Sequence, residues 1–316
     1  MNELPAATDD IRPLPKFPAS QVENRSAIPR SLFSLILYLL AGYWLLNDLH
    51  NLILITLVLL LHEGGHFIAM RRVGYRDLGV FFLPLLGAYV SGTKRVVTQR
   101  ESAFVLLAGP LPGILLGSAL YVGIEQGVVP RTTYDFNIMT GVIFLVVLNG
   151  INLLPIYPLD GGQLLNRVFL DEEGWVSKGF VLLSAVLLAY MAIQYHILPL
   201  LIFPFLLLFR LWRSATDRKI ERRIEDEGIE TELDYDALPD VDYWRIRHIL
   251  IEENASIRSL AAEHVDTYSP SETQIQQAVE AQLHRTLVQD LSVSAKVLIG
   301  LIWMSGLLVP LYLWLR

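Results

Sequence analysis

The sequence predicts a mainly α-helical, polytopic transmembrane bundle of about seven spans, with a re-entrant β-hairpin-like loop and a small helical cytoplasmic domain. Of its 316 residues, 53% are hydrophobic and only 18% are charged, which is too apolar for an ordinary soluble domain. Long runs without Asp, Glu, Lys or Arg recur along the chain. A bilayer core about 30 Å thick is crossed by about 20 helical residues, so these runs have the length of membrane spans.

The charge-free runs define the spans in order. They are Ser31–Asn47, Leu49–His62, Ser102–Ile124, Phe136–Leu159, Gly179–Phe209 and Val297–Leu315. The second run reaches Arg71 if its helix continues through Glu63. The fifth run is too long for one upright helix, and we expect residues 174–212 to form a hairpin that turns near Gln194–Pro199. These assignments give seven spans.

The spans divide the chain into four parts. Residues 1–30 contain five prolines and both charge signs, which predicts a disordered cytoplasmic tail before an uncleaved span. Residues 31–212 form the predicted membrane core. Residues 213–292 carry 18 acidic and nine basic side chains, and residues 293–316 form a final transmembrane helix.

The acidic stretch has the pattern of a small helical domain. Ser269 is expected to cap a helix that begins at Pro270, with Glu272 as its reciprocal cap. An apolar stripe at four-residue spacing follows, formed by Ile275, Val279, Leu283, Leu287 and Leu291. The domain is predicted either to dock a substrate or regulator or to act as a structural lid or self-association contact.

Charge and cysteine content restrict the partners and the metal ligands. Lys and Arg concentrate in the loops on the N-terminal side, whereas Arg131 alone lies in the opposite loops, so the N-terminus is predicted to be cytoplasmic in a bacterial inner membrane. The net charge of −7 argues against a nucleic-acid partner. Because the chain has no cysteine, a metal site must use His, Asp or Glu.

One set of potential metal ligands lies at the end of the second span. His62 and His66 are four residues apart, which places both imidazoles on one helix face where they can bind one zinc ion. Glu63 between them can act as general base on a zinc-bound water. The alternative is an ordinary polar face of a buried helix, but ionisable residues at membrane depth favour a functional site.

A third ligand is predicted near the end of the fourth span. Asp160 follows Pro155 and Pro158 and precedes two glycines, so the helix is broken around this carboxylate. A break at membrane depth is tolerated where it lines a cavity or is buried. In the predicted topology both motif-bearing spans run in the same direction, so Asp160 lies at the depth of the two histidines. A simple helix cap is the alternative role for Asp160.

The two motifs, HEGGH and NLLPIYPLDGG, resemble those of the site-2 protease family of intramembrane zinc metalloproteases. The resemblance covers roughly residues 50–165 and implies that His62, His66 and Asp160 bind one zinc ion while Glu63 activates water. It also implies that Asn152 holds substrate or stabilises the oxyanion; a hydrogen bond that repairs the broken helix is the alternative.

A third stretch, Leu78–Gly92, is apolar and aromatic and is interrupted by Pro84 and Gly87. It is too short for a span and predicts a hairpin that dips into the membrane. The family resemblance implies a re-entrant β-loop that engages substrate, with Phe82, Gly87 and Tyr89 as candidate contacts. A strand edge can pair with an unwound substrate helix, and a packing plug is the alternative role.

The chain also departs from the family. Gly113 stands where many members have Asn, and the PDZ and CBS domains of some members are not evident. The expected function is hydrolysis of a peptide bond in or near the transmembrane helix of a membrane-protein substrate. The alternatives are a non-catalytic, zinc-stabilised scaffold or chaperone that binds client helices, and a zinc protease whose third ligand is a downstream glutamate. The nearest such glutamates are Glu101, Glu125, Glu172 and Glu173.

Overall fold

The computed structural model of the chain describes residues 14–18, 27–84, 87–94, 96–133, 136–170, 174–261, 267–283 and 287–316. The chain forms two compact units. The membrane unit comprises Asn24–Arg210 and Arg285–Arg316, and the acidic unit comprises Met1–Glu23 and Leu211–His284. Each unit has its own hydrophobic core.

Helices dominate the membrane unit. They are α1 (Ala27–Leu46), α2 (Leu49–Arg72), α3 (Gln99–Ala108), α4 (Pro110–Glu125), α5 (Ile138–Asn152), α6 (Asp160–Leu164), α7 (Trp175–Gln194), the first part of α8 (Ile202–Asp226) and α12 (Val293–Leu315). Among the described residues, six helical stretches are long and apolar enough to cross a membrane, and α5 is a shorter apolar helix. The chain is therefore a mainly α-helical, multi-pass membrane protein, as predicted.

Two spans differ in detail from the charge-free runs. The predicted span Ser102–Ile124 consists of α3 and α4, which meet at Gly109. The run Phe136–Leu159 is helical only in α5, because Pro155 and Pro158 prevent the helical hydrogen-bond ladder from continuing to Asp160. The hairpin between α7 and α8 turns through Tyr195–Ile197 and a short 3₁₀ segment, close to the predicted position.

The stretch between α2 and α3 forms an antiparallel hairpin of β1 (Arg76–Leu83) and β2 (Gly87–Thr93). The strand β1 packs along α1, where the backbone N–H of Phe82 donates to Ser34 Oγ over 3.1 Å. The strand β2 lies along α2. The tip residues 85–86 lie outside the described part of the chain. The predicted hairpin-like element is thus present next to the helix that carries HEGGH.

Two pairs of short strands also lie in the membrane unit. The segments β3 (Val97–Thr98) and β6 (Leu287–Val288) pair in parallel, and β4 (Thr132–Thr133) pairs with β5 (Phe136–Asn137). The expected helical stripe through Leu287 and Leu291 is therefore wrong in its last part. Leu287 belongs to a strand, since the helix that carries Ile275 ends at Gln282.

The acidic unit packs the end of α8 against α9 (Asp240–Glu253) and α11 (Glu272–Gln282), with the short α10 (Ala255–Arg258) between them. Its core includes Ile224, Tyr243, Ile246 and Val279. Helix α11 begins two residues later than predicted from Pro270, although the Glu272 carboxylate does accept the Ser269 N–H over 2.8 Å. Residues 14–18 belong to this unit, are exposed or half-buried, and form no regular secondary structure.

Candidate metal centre

Three predicted side chains meet in the membrane unit. His62 Nε2 lies 3.1 Å from His66 Nε2, and Asp160 Oδ2 lies 3.1 Å from His62 Nε2 and 3.2 Å from His66 Nε2. The histidines share one face of α2 because they are four residues apart, and Asp160 reaches them from the first residue of α6. Both histidines are buried. Two distant parts of the sequence therefore form one compact triangle of ligand atoms.

Hydrogen bonds on the other side of each ring determine which nitrogen carries its proton. The Asn149 amide donates through Nδ2 to the Leu145 carbonyl over 2.7 Å, so its Oδ1 faces His62 Nδ1 at 2.8 Å. His66 Nδ1 lies 2.8 Å from the Val105 carbonyl oxygen. An amide or carbonyl oxygen only accepts, so both Nδ1 atoms donate and both Nε2 lone pairs point into the triangle.

This donor set fits a zinc ion. Three lone-pair-bearing atoms in mutual contact repel one another unless a cation is placed among them. Ligand atoms bound tetrahedrally at 2.0–2.1 Å lie about 3.3 Å apart, close to the 3.1–3.2 Å edges observed. Two neutral imidazoles and a carboxylate also suit zinc chemically. His62, His66 and Asp160 form the only cluster of three or more potential metal ligands in the described part of the chain.

Glycines allow the backbone to approach the histidines closely. A Cβ on Gly65 would lie 2.0 Å from the Ala108 carbonyl oxygen, and a Cβ on Gly109 would lie 2.3 Å from His66 Nε2. By contrast, a Cβ on Gly64 would meet no atom within 4 Å. Of the two glycines in HEGGH, only Gly65 is therefore required for close packing, and it brings α2 against the junction of α3 and α4.

Another glycine leaves space for the Asn149 amide beside His62. A Cβ on Gly113 of α4 would lie 2.2 Å from Asn149 Nδ2, so glycine at this position leaves the space that the Asn149 side chain fills. Asn149 is 1% exposed. The sequence predicts no role for this residue, because an amide in an apolar run shows its depth in the membrane but not the direction in which it points.

Neighbouring helices supply hydrogen-bond partners for the non-helical segment before Asp160. Trp303 of α12 donates through Nε1 to the Leu153 carbonyl over 2.8 Å, and the Tyr157 N–H donates to Ser184 Oγ of α7 over 3.1 Å. Backbone groups freed by the prolines thus have partners without water. The two glycines after Asp160 let this segment fold tightly, because a Cβ on Gly161 would lie 2.0 Å from the Leu153 carbonyl oxygen.

Glu63 is buried next to the triangle and contacts the hairpin. Its carboxylate lies near the backbone N–H of Val90 in β2. Val90 is the register partner of Val80, and Ala88 is the partner of Phe82. Since the N–H of Phe82 points away from β2 towards Ser34, both pairs have their backbone groups directed outwards. The outer edge of β2 therefore faces the Glu63 carboxylate.

The predicted substrate contacts are Asn152 and three residues of the hairpin, and they differ in how far they are buried. Asn152 Nδ2 donates to the Leu148 carbonyl over 3.2 Å within its own helix. The Phe82 side chain is buried against Tyr38, with 5.8 Å between ring centroids. Tyr89 is 46% exposed and stacks on Phe81, and Gly87 adopts φ +106 at the hairpin tip. Of these four residues, Tyr89 is exposed, Gly87 and Asn152 are half-buried, and Phe82 is buried.

The described glutamates among the alternative third ligands form ion pairs with other residues. Glu101 accepts the Thr98 N–H in a capping box and pairs with Lys94 over 2.7 Å. Glu125 pairs with Arg131 over 3.0 Å. Glu172 and Glu173 lie outside the described residues. Among the described alternatives, neither glutamate joins the histidines.

Comparison with known proteins finds two curated relatives. Stage IV sporulation protein FB of Bacillus subtilis is 33% identical over 134 residues, which cover 42% of this chain and 45% of that protein. A zinc metalloprotease of Methanocaldococcus jannaschii is 26% identical over 158 residues, which cover 46% of this chain and 43% of that protein. The match therefore spans less than half the length of each relative.

The search of solved structures finds a site-2 protease from Methanocaldococcus jannaschii. It matches with a TM-score of 0.41 and 19% identity, over 56% of this chain and 84% of that chain. No family model matches the sequence.

Proposed function

We propose that the chain belongs to the site-2 protease family and is an intramembrane zinc metalloprotease. The proposed reaction is hydrolysis of a peptide bond in or near the transmembrane helix of a membrane protein. The observation that carries the proposal is the triangle of His62, His66 and Asp160, with the carboxylate of Glu63 buried beside it. The curated relative named as a zinc metalloprotease supports the same chemistry.

Each proposed site residue has a distinct task. His62, His66 and Asp160 would hold one zinc ion, with Asn149 and Val105 fixing the two imidazoles. When bound, zinc supplies Lewis-acid chemistry, which lowers the pKa of water towards about 7 and polarises a carbonyl. Glu63 would take the proton of the attacking water and return it to the departing amine. Asn152 would contact the substrate or the developing oxyanion through its remaining acceptor and donor capacity.

The hairpin offers a way to present a peptide bond to this site. A helical substrate conceals its peptide groups in its own hydrogen bonds, so it must be unwound before hydrolysis. The outer edge of β2 carries backbone groups of Ala88 and Val90, and Val90 lies close to Glu63. An unwound substrate segment would add to this edge as a strand, with Tyr89 and Gly87 beside it.

The test of the proposed function is Glu63→Gln, which keeps the shape of the side chain and removes its basicity. Wild type and variant are co-expressed with a library of epitope-tagged single-span membrane proteins, and shortened fragments are scored. We expect fragments with wild type and at least a 100-fold loss with Glu63→Gln, since general-base catalysis contributes about 10² to 10⁴ in rate.

Glu125→Gln is the matched control, because Glu125 pairs with Arg131 away from the triangle. Bound zinc is measured on the purified proteins by elemental analysis. We expect about one ion per chain for wild type, Glu63→Gln and Glu125→Gln, and a clear decrease for Asp160→Ala. Equal cleavage by Glu63→Gln and wild type would refute the role of Glu63, and zinc-loaded protein that cleaves none of the library would favour the scaffold.

A further inference from the structure

A segment with two prolines and no regular secondary structure lies in an aromatic groove of the acidic unit. Its residues are Leu14, Pro15, Lys16, Phe17 and Pro18, and we call it the LPKFP segment. The groove is formed by Tyr235, Trp244 and Tyr268. Trp244 and Tyr268 stack with 5.6 Å between centroids, and Phe17 meets the Tyr268 ring edge-on at 5.4 Å.

The groove supplies donors where the segment supplies acceptors. Trp244 Nε1 donates to the Leu14 carbonyl over 2.6 Å, the Tyr235 hydroxyl donates to the Phe17 carbonyl over 2.6 Å, and the Tyr268 hydroxyl donates to the Pro15 carbonyl. Prolines have no N–H, so this segment presents mainly carbonyl groups. The N–H of Lys16 does have an acceptor, Asp240 Oδ1 at 3.0 Å.

The Lys16 ammonium gives the contact its selectivity. Its Nζ donates to three backbone carbonyls, those of Tyr235 at 2.8 Å and of Asp236 and Leu238 at 2.7 Å each. It also lies 5.5 Å from the centroid of the Tyr235 ring. Three converging carbonyls match the three donors of an ammonium group, and a neutral or acidic side chain cannot replace it.

The Tyr235 hydroxyl stays protonated and can donate its hydrogen bond to the segment. Burial, followed by the negative charges of Glu280 and Glu272, raises the pKa of Tyr235. Its hydroxyl therefore remains protonated and able to donate at physiological pH. The surrounding stretch 213–292 is strongly acidic, so it attracts a basic peptide.

We propose that this groove is a peptide-recognition site for a Pro-Lys-aromatic-Pro segment, and that its resident ligand is the chain's own LPKFP segment. Extended proline-rich peptides bind aromatic grooves at low entropic cost because prolines restrict the unbound chain. The segment is bound by the groove of its own chain, and Lys16 determines whether the groove is filled. This inference does not depend on the proposed protease activity.

The first experiment places a photo-crosslinking phenylalanine analogue at position 17 of the full-length protein in detergent. We expect an intrachain crosslink to the peptide that contains Tyr268, and at least a 10-fold decrease with Lys16→Glu. Lys178→Ala, which removes a lysine of the membrane unit, is the control and should leave the crosslink unchanged. Mixing isotopically heavy and light chains distinguishes the products, and crosslinks between chains would overturn the cis assignment.

The second experiment tests recognition in trans with a fluorescent peptide of residues 12–20. Because Lys16→Glu vacates the groove, we expect the peptide to bind this full-length variant at least 10-fold more tightly than wild type. Adding Tyr268→Phe, which keeps the ring and removes one donor, should weaken that binding. Equal affinity for wild type and Lys16→Glu, or absence of binding to both, would overturn the proposed recognition site.

Discussion

Asn149 shows how one buried amide can organise the candidate site. Its two hydrogen bonds run in a chain from the Leu145 carbonyl to His62 Nδ1, and this chain fixes both the rotation and the tautomer of the imidazole. The amide adds no ligand of its own. Partners of this kind determine how well a histidine binds its metal.

Replacing Asn149 by alanine should weaken zinc binding by about 10- to 100-fold, as for other partners of metal-bound histidines. The measurement is competition for zinc with a chelating dye, using purified protein. Asn152→Ala is the matched control, since its amide bonds to Leu148 in the same helix. If both variants bound zinc as tightly as wild type, the contact with His62 would have no energetic importance.

For single residues, the sequence predicts which functional groups share a site better than it predicts the direction in which each side chain points. The spacing of His62 and His66 and the depth of Asp160 predict that these side chains lie close together, as they do in the structure, while their role as zinc ligands stays a prediction. Asn149 and Asn152 are both amides in one apolar helix, and no local pattern shows which one faces α2. That choice depends on how α2, α4 and α5 pack, including the space at Gly113.

Among the elements, the hairpin of β1 and β2 connects the site to its surroundings. One outer edge is fixed to α1 through Phe82 and Ser34, and the other approaches Glu63 through Val90. The hairpin is thus held on one side, and its second edge remains next to the carboxylate.

Val90→Pro removes the N–H on the outer edge of β2, whereas Val90→Ala keeps it. We expect Val90→Pro to lower cleavage at least 10-fold with zinc content unchanged, and Val90→Ala to remain close to wild type. The assay is the fragment score of the co-expression experiment with elemental analysis of the same preparations. Equal cleavage by the two variants would show that this edge takes no part in the reaction.

The helix pair α9 and α11 is joined by a buried ion pair. Arg247 Nε donates to Glu272 Oε1 over 2.7 Å, and both side chains are almost fully buried. Burial raises the pKa of Glu272, but hydrogen bonds from Arg247, Tyr243 and the Ser269 N–H outweigh it and hold the pKa below its usual range. A carboxyl group of this kind contributes stability above its unfolded pKa of about 4.3.

The acidic unit should therefore lose stability as the pH falls below about 4.3 and through the lower folded-state pKa of Glu272. At neutral pH, Glu272→Gln should cost about 3 to 5 kcal/mol because it removes one partner of a buried ion pair. Hydrogen exchange of α9 and α11 in the full-length protein measures both effects. Glu252→Gln, which breaks an exposed pair with Arg223, should cost less than about 1 kcal/mol. Similar costs for the two variants would contradict this assignment.

Element boundaries were predictable where one residue type prevents the continuation of a helix. The prolines before Asp160 predicted the break that the structure shows between α5 and α6. The four-residue stripe failed beyond Leu283, because Leu287 pairs with Val97 from a distant part of the chain. A helical spacing reports local periodicity and contains no information about such a partner.

At the scale of the whole molecule, the distribution of basic residues predicts that the N-terminus and the acidic unit are cytoplasmic. The absence of cysteine makes this testable with single substitutions. Val128 is 76% exposed beyond α4, and Val241 is 51% exposed in the acidic unit. In intact cells, an impermeant maleimide should label Val128→Cys and leave Val241→Cys unlabelled until the cells are lysed. The reverse pattern would invert the proposed orientation.

Gly113 and Asn149 occupy one shared volume, and this restricts how the two positions can evolve. A side chain at 113 requires that the amide at 149 move or become smaller, since a Cβ there would lie 2.2 Å from Nδ2. Substitutions at the two positions are therefore epistatic. Gly113→Asn should be harmful alone and less harmful when Asn149 is replaced by glycine, so that an amide approaches the histidines from α4 instead of α5. The identity of the residue at one position thus determines which residues are permitted at the other.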